Sequence, residues 1–153
     1  MDFAQDWSAR DYALLGGALG ATYADAQTTK DLVARGGEEA NPMYGGSKPS
    51  GTAIDRGALL NAGLGTIATM ALPEKYRGAF LGGWMGLKVG LAEHNVKTDP
   101  KSGGNMEQAY RDSLPGAVLG ALAGYLLPGS HVTPYASTEK GKPEVGIAYT
   151  RKF

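Results

Sequence analysis

The chain has 153 residues, with 15 Lys and Arg against 15 Asp and Glu, 24 glycines, three phenylalanines and no cysteine. Balanced charge without a long basic block lacks the footprint of a sequence-specific nucleic-acid binder, and the absence of thiols excludes disulfides, zinc–thiolate sites and thiol catalysis. A core built from Ala, Gly and Leu with so few aromatics fills space poorly in an isolated monomer, which points to an oligomer.

The N-terminal stretch Met1 to Asp11 is acidic where a signal peptide is basic, so no cleaved export signal is expected. Phe3 and Trp7 stand four apart on one helical face, a pattern that suits a docking helix and a frayed terminus equally. Helix 1 is predicted from Tyr12, through an uncharged stretch to Ala24, and on through Asp25 to Arg35, where Gly36 and Gly37 form a stop. Residues 36–56, rich in Gly, Pro, Asn and Ser, read as a long ordered loop.

Helix 2 is predicted over Gly57 to Leu72, a run without charge. Pro73 to Arg77 then turns the chain into helix 3, which runs to about Asn95, and helices 2 and 3 are expected to form an antiparallel hairpin. Lys97 to Asn105 is a polar loop, Met106 to Asp112 a short amphipathic turn, and helix 4 runs from Leu114 to Leu127, ended by Pro128 and Gly129. Residues 1–129 thus read as an all-α helical domain of about four Gly-rich helices, and 130–153 as a C-terminal tail. The tail carries strand-like Val145 to Thr150 and a turn at Lys140 to Pro143, so it suits a short β-hairpin, pairing with a neighbouring subunit, or ordering on assembly.

Three of these helices carry glycine ladders. Helix 3 has Gly78, Gly82, Gly86 and Gly90; helix 4 has Gly116, Gly120 and Gly124; helix 1 has Gly16 and Gly20, extended by Ala24. A glycine in a helix interior costs roughly 1 kcal/mol relative to alanine. Small residues at every fourth position offset that loss by forming a groove for a second helix, as in a glycine zipper. These glycines are the candidate helix-packing and oligomer-forming residues.

The uncharged stretches fall short of the roughly 20 apolar residues of a bilayer-spanning helix. If all four helices did span, each side would carry seven Lys and Arg, so charge gives no orientation. Lys88 lies inside the ladder helix and needs a partner or water, and Asp25 is the candidate acid; the alternative is that Lys88 snorkels to an interface. Trp84 and Tyr76, with Tyr12, Tyr23 and Tyr125, suit an interfacial belt or ordinary packing. His94 and His131 stand in separate segments, and no nucleophile elbow, zinc-protease motif, phosphate loop or carboxylate pair is present. No catalytic, cofactor or metal site is expected, and the chain reads as a non-enzyme.

The order Asp25-x-x-Thr28-Thr29, Glu39-x-Asn41-Pro42-x-x-Gly45, Leu72-Pro73 with Arg77, and His94-Asn95 resembles a family of small hydrophobic proteins of tailed phages and prophages, over residues 20–97. Lys88 departs from that pattern, standing where the family would have an acid. The resemblance implies a phage context and no particular activity. Read locally, Asn41 and Pro42 initiate a turn and Glu39 caps or pairs with a neighbour, so the motif fixes the loop between helices 1 and 2.

Together these features lead to the expectation of a virion protein of the ejection type. Its copies would associate through the grooved helices, together with other virion proteins, and on infection line a channel in the host envelope membrane. A holin-like lysis pore and a purely structural virion component are the alternatives.

Overall fold

A computed structural model describes residues 7–39, 41–102, 105–127, 130–139 and 142–151. Four α-helices make the body: α1 (Ala9–Ala34), α2 (Gly51–Ala71), α3 (Glu74–Lys97) and α4 (Met106–Leu126). Two strands follow, β1 (Ser130–Glu139) and β2 (Lys142–Arg151), paired antiparallel with Ser130 opposite Arg151 and Glu139 opposite Lys142.

α1 starts before the predicted Tyr12 because Ser8 and Asp11 form a reciprocal capping box: the Asp11 backbone N–H donates to Ser8 Oγ, and the Ser8 N–H to the Asp11 carboxylate. That arrangement satisfies two of the orphan amides at the helix start. The helix stops at Arg35, and Gly36 follows at φ 91°, in the left-handed region where glycine is favoured. α2 begins inside the predicted loop, because Ser50 accepts from the Ala53 N–H and caps it; the extra turn brings Ile54 into the core. α4 is one continuous helix where a short turn and a shorter helix were expected. Asn105 caps it through the Gln108 N–H, and Pro115 is accommodated in its interior.

The helices are arranged in the order α2, α1, α3, α4. α3 packs most extensively on α4 and next on α1, α1 also touches α2, and α2 makes little contact with α3. This corrects the predicted hairpin of helices 2 and 3: the antiparallel partner of α3 is α4. The reason is steric. The ring of Trp84 lies where a Cβ on Gly65 would be, so a large side chain holds α2 away from α3, whereas the side of α3 facing α4 carries Gly78, Gly82, Gly86 and Gly90.

Along the α3–α4 contact, a Cβ added to Gly78, Gly82 or Gly86 would collide with the backbone carbonyls of Gly124, Gly120 and Gly116 respectively. The fourth step pairs Gly90 with Ser113, whose Cα would lie 2.7 Å from an added Cβ. Ser113 is itself fully buried, its hydroxyl donating to the Ala109 carbonyl. Two helices meet backbone to backbone here, so dispersion over the whole seam replaces the side-chain packing that glycine cannot give. Gly16 and Gly20 do not take part in packing among the described residues, none of which comes within 4 Å of a Cβ added to either. On α1 the close approach is at Gly17, against Met85 of α3.

The apolar core is small. One cluster gathers Leu14 and Ala18 of α1 with Leu81 and Trp84 of α3; a second gathers Ala26, Tyr44 and Ile54 where α1, the loop and α2 meet. Trp7 closes the lower end of the bundle, buried beside Tyr12 and under the Arg77 guanidinium, 5.6 Å from its ring centroid. Trp7 thus packs from a segment before α1 rather than from the expected helical face, and Phe3, its expected companion, lies outside the described residues.

Candidate functional site

The bundle holds a polar centre between α1 and α3. Lys88 Nζ donates to Asp25 Oδ2 at 2.8 Å, with the two side chains only 4% and 5% exposed. Sixty-three positions separate them in sequence, and the parallel packing of α1 on α3 sets them level. The Asn95 side-chain amide completes the shell from two turns further along α3, donating to Asp25 Oδ1 at 3.3 Å, Thr28 Oγ1 at 3.3 Å and Thr29 Oγ1 at 3.0 Å. Burial pushes the Asp25 carboxyl above its usual range, against the lowering effect of Lys88 and of the Asn95 amide. A paired, hydrogen-bonded charge of this kind ties two helices in one register.

The loop motif has a local role that the structure makes explicit. The Asn41 N–H donates to Glu39 Oε1 at 2.7 Å, and the Asn41 side chain accepts from the Met43 N–H, capping a 3-10 turn at Pro42–Tyr44. Gly45 ends that turn at φ 83°. These contacts drive the Tyr44 ring into the second core cluster, where Gly57 leaves it room: a Cβ on Gly57 would enter the ring. The Tyr44 hydroxyl is buried without a hydrogen-bond partner among the described residues. Its ionisation is pushed well above the ordinary phenol range by burial first, then by the nearby charges of Asp25 and Glu39. Glu39, Asn41, Pro42 and Gly45 thus position a buried aromatic beside the polar centre, and of the four only Glu39 shares a small cleft with Asn95.

His94 lies at the far end of α3, Nδ1 3.1 Å from Asp112 Oδ2 on α4. It borders a mixed-charge cleft of about 260 Å³ with Lys97, Asp99, Asn105 and Gln108. No group of three or more His, Asp or Glu side chains able to hold a metal occurs among the described residues. The His131 backbone is part of β1.

The other prominent feature is apolar surface that the described residues leave uncovered. On α2 it comprises Leu59, Leu60, Leu64, Ile67 and Met70, between 43% and 74% exposed; on α4, Leu114, Val118, Leu119, Leu122, Tyr125 and Leu126, between 54% and 75%. Scattered exposed leucines are ordinary, but two continuous helix faces are not. No described helix is long and apolar enough to cross a membrane.

Among the features that sequence reading passed over, Ser8-x-x-Asp11 carried a recognisable capping signal. Asn95 as the third member of the polar centre, Gly17 as the close-packed glycine and Tyr44 as the residue the loop delivers did not. Comparisons with protein-family models, curated proteins and solved structures give no match.

Proposed function

We propose that the chain is a non-enzymatic virion protein of the ejection type, whose copies assemble and together line a channel in the host envelope for genome delivery. The observation that supports this reading is the pair of uncovered apolar faces on α2 and α4, on a bundle whose internal charges are paired. A protein of this kind is stored with those faces against its own copies and meets lipid as an assembly, so no single helix has to be a membrane span. The phage setting rests on the resemblance of the Asp25 and Glu39–Gly45 motifs.

This reading relocates the assembly surface. Gly78, Gly82 and Gly86 lie against Gly124, Gly120 and Gly116, and Gly90 against Ser113, inside the chain, which supports assigning association to the outer faces.

The test is dye release from liposomes by protein purified without detergent, beside a Leu119→Glu/Leu122→Glu variant that leaves the seam intact. Release by the parent and not by the variant is expected. No release, with the protein oligomeric and not lipid-bound, refutes the channel. A second reading, a structural virion component without lipid contact, is favoured by the shortness of the apolar helices and predicts that outcome. Mass spectrometry of purified particles tests the virion assignment: presence is expected, and absence points to a holin-like protein.

A further inference from the structure

The order α2, α1, α3, α4 places the two uncovered apolar faces on opposite flanks of the bundle. They also match in direction and height. α1 and α3 run one way, as the Asp25–Lys88 and Arg10–Gly78 proximities show, while α4 runs antiparallel to α3. α2 likewise runs against α1, with Lys30 near the end of α1 paired to Asp55 near the start of α2. α2 and α4 are therefore parallel to each other.

Their C-terminal ends are pinned to one end of the bundle. Arg77 Nε donates to the Leu72 carbonyl and Arg10 Nη1 to the Leu127 carbonyl, with Arg10 beside Gly78, the residue after Arg77. Counting back from that level, α2 is uncharged over Gly57–Leu72 and α4 over Ser113–Leu127. Each stretch is about 22–24 Å long at roughly 1.5 Å per residue. At the opposite end of these stretches Asp55 is paired with Lys30 and Asp112 with His94 within the chain, while Arg56 and Arg111 are exposed.

We infer that the partner of the α2 face is the α4 face of a second copy, in a heterologous, side-by-side contact with parallel axes. Such a contact sets apolar stretch against apolar stretch of nearly equal length. Both stretches fall short of the roughly 30 Å hydrocarbon core of a bilayer, yet they match each other. Each bared side chain offers on the order of 100 Å². Each face therefore supplies several hundred Å², within reach of the roughly 800 Å² per partner of a standard interface. Because the faces lie on opposite flanks, every contact leaves one of each open, so the assembly grows into a closed ring or a filament and does not stop at a dimer. This inference rests on the assembly part of the function proposed above and not on lipid.

The experiment mixes two one-sided variants and measures mass in solution, without lipid, by light scattering coupled to size exclusion. Leu60→Glu/Leu64→Glu removes the α2 face, and Leu119→Glu/Leu122→Glu the α4 face; all four side chains are more than half exposed. The parent is expected to be larger than a dimer, each variant alone a monomer, and the equimolar mixture a heterodimer, since only one intact pair of faces remains. Helical circular dichroism reports folding, and Ser at the same positions replaces Glu if either variant fails to fold. A dimer formed by either variant alone shows a self-matching interface and overturns the inference, as does a mixture that stays monomeric or a monomeric parent. A negative liposome result beside a heterodimer would remove the channel and leave this contact standing.

Discussion

Replacing Lys88 by Met leaves the Asp25 carboxylate enclosed at 5% exposure with its cation, 2.8 Å away in the parent, removed. Asp25→Asn does the converse, leaving a buried ammonium beside an amide. Removing one partner of a buried ion pair costs about 3–5 kcal/mol, a large part of the 5–15 kcal/mol that holds a typical domain together. The double variant Asp25→Asn/Lys88→Met contains no buried charge and is expected within about 2 kcal/mol of the parent, since polar or apolar groups of similar size often replace such pairs at little loss. Urea unfolding followed by circular dichroism measures all four proteins, and the cycle should give a coupling of at least about 2 kcal/mol. Single-variant losses below about 1 kcal/mol, or strictly additive effects, would refute the claim that this pair registers α1 against α3.

The same group fixes a pH dependence. Burial raises the folded pKa of Asp25 above its ordinary value of 3.8. The folded state then holds the proton more tightly than the unfolded chain, and this term favours folding at low pH and is lost as pH rises through the folded pKa. In Lys88→Met the opposing attraction of Lys88 is gone, so the deficit should be smallest below about pH 4 and reach its full size above the raised pKa. Melting temperatures measured across that range check it, and a deficit that grows as pH falls would contradict the burial argument.

Three further outcomes are expected. Gly82→Ala should destabilise by about 2 kcal/mol, since a methyl group meets the Gly120 carbonyl and overpacking outweighs the gain in helix propensity. Gly16→Ala, by contrast, points into open space and should stabilise by about 0.5–1 kcal/mol; thermal melts of the two variants should therefore move in opposite directions. Tyr44→Phe removes a hydroxyl buried without a partner, so stability should hold or rise by about 1 kcal/mol, whereas Tyr44→Ala should cost about 3–5 kcal/mol through the cavity left beside Ala26 and Ile54. Equal losses for Phe and Ala in denaturant titrations would mean that the hydroxyl, and not the ring, is what the loop delivers.

The sequence by itself determined the helical body, because capping residues, glycine stops and uncharged periodic runs act within a few residues of one another. It determined the four-residue spacing of the ladders and, through an isolated lysine in an apolar helix, the need for an acid such as Asp25. It did not determine which ladder meets which. Glycines at one period make the same groove on every helix that carries them, and the choice among grooves depends on what the other faces of the helices bear. Trp84 wedges against Gly65 and holds α2 off, while the bare side of α3 admits α4; Gly16 and Gly20, of identical spacing, are left open. Residues 63 to 70 positions apart became the Asp25, Lys88 and Asn95 centre only when α1 and α3 packed in parallel. The outer faces of α2 and α4 likewise became surface through tertiary structure, since an apolar stripe looks the same in sequence whether a neighbour in the chain covers it or none does.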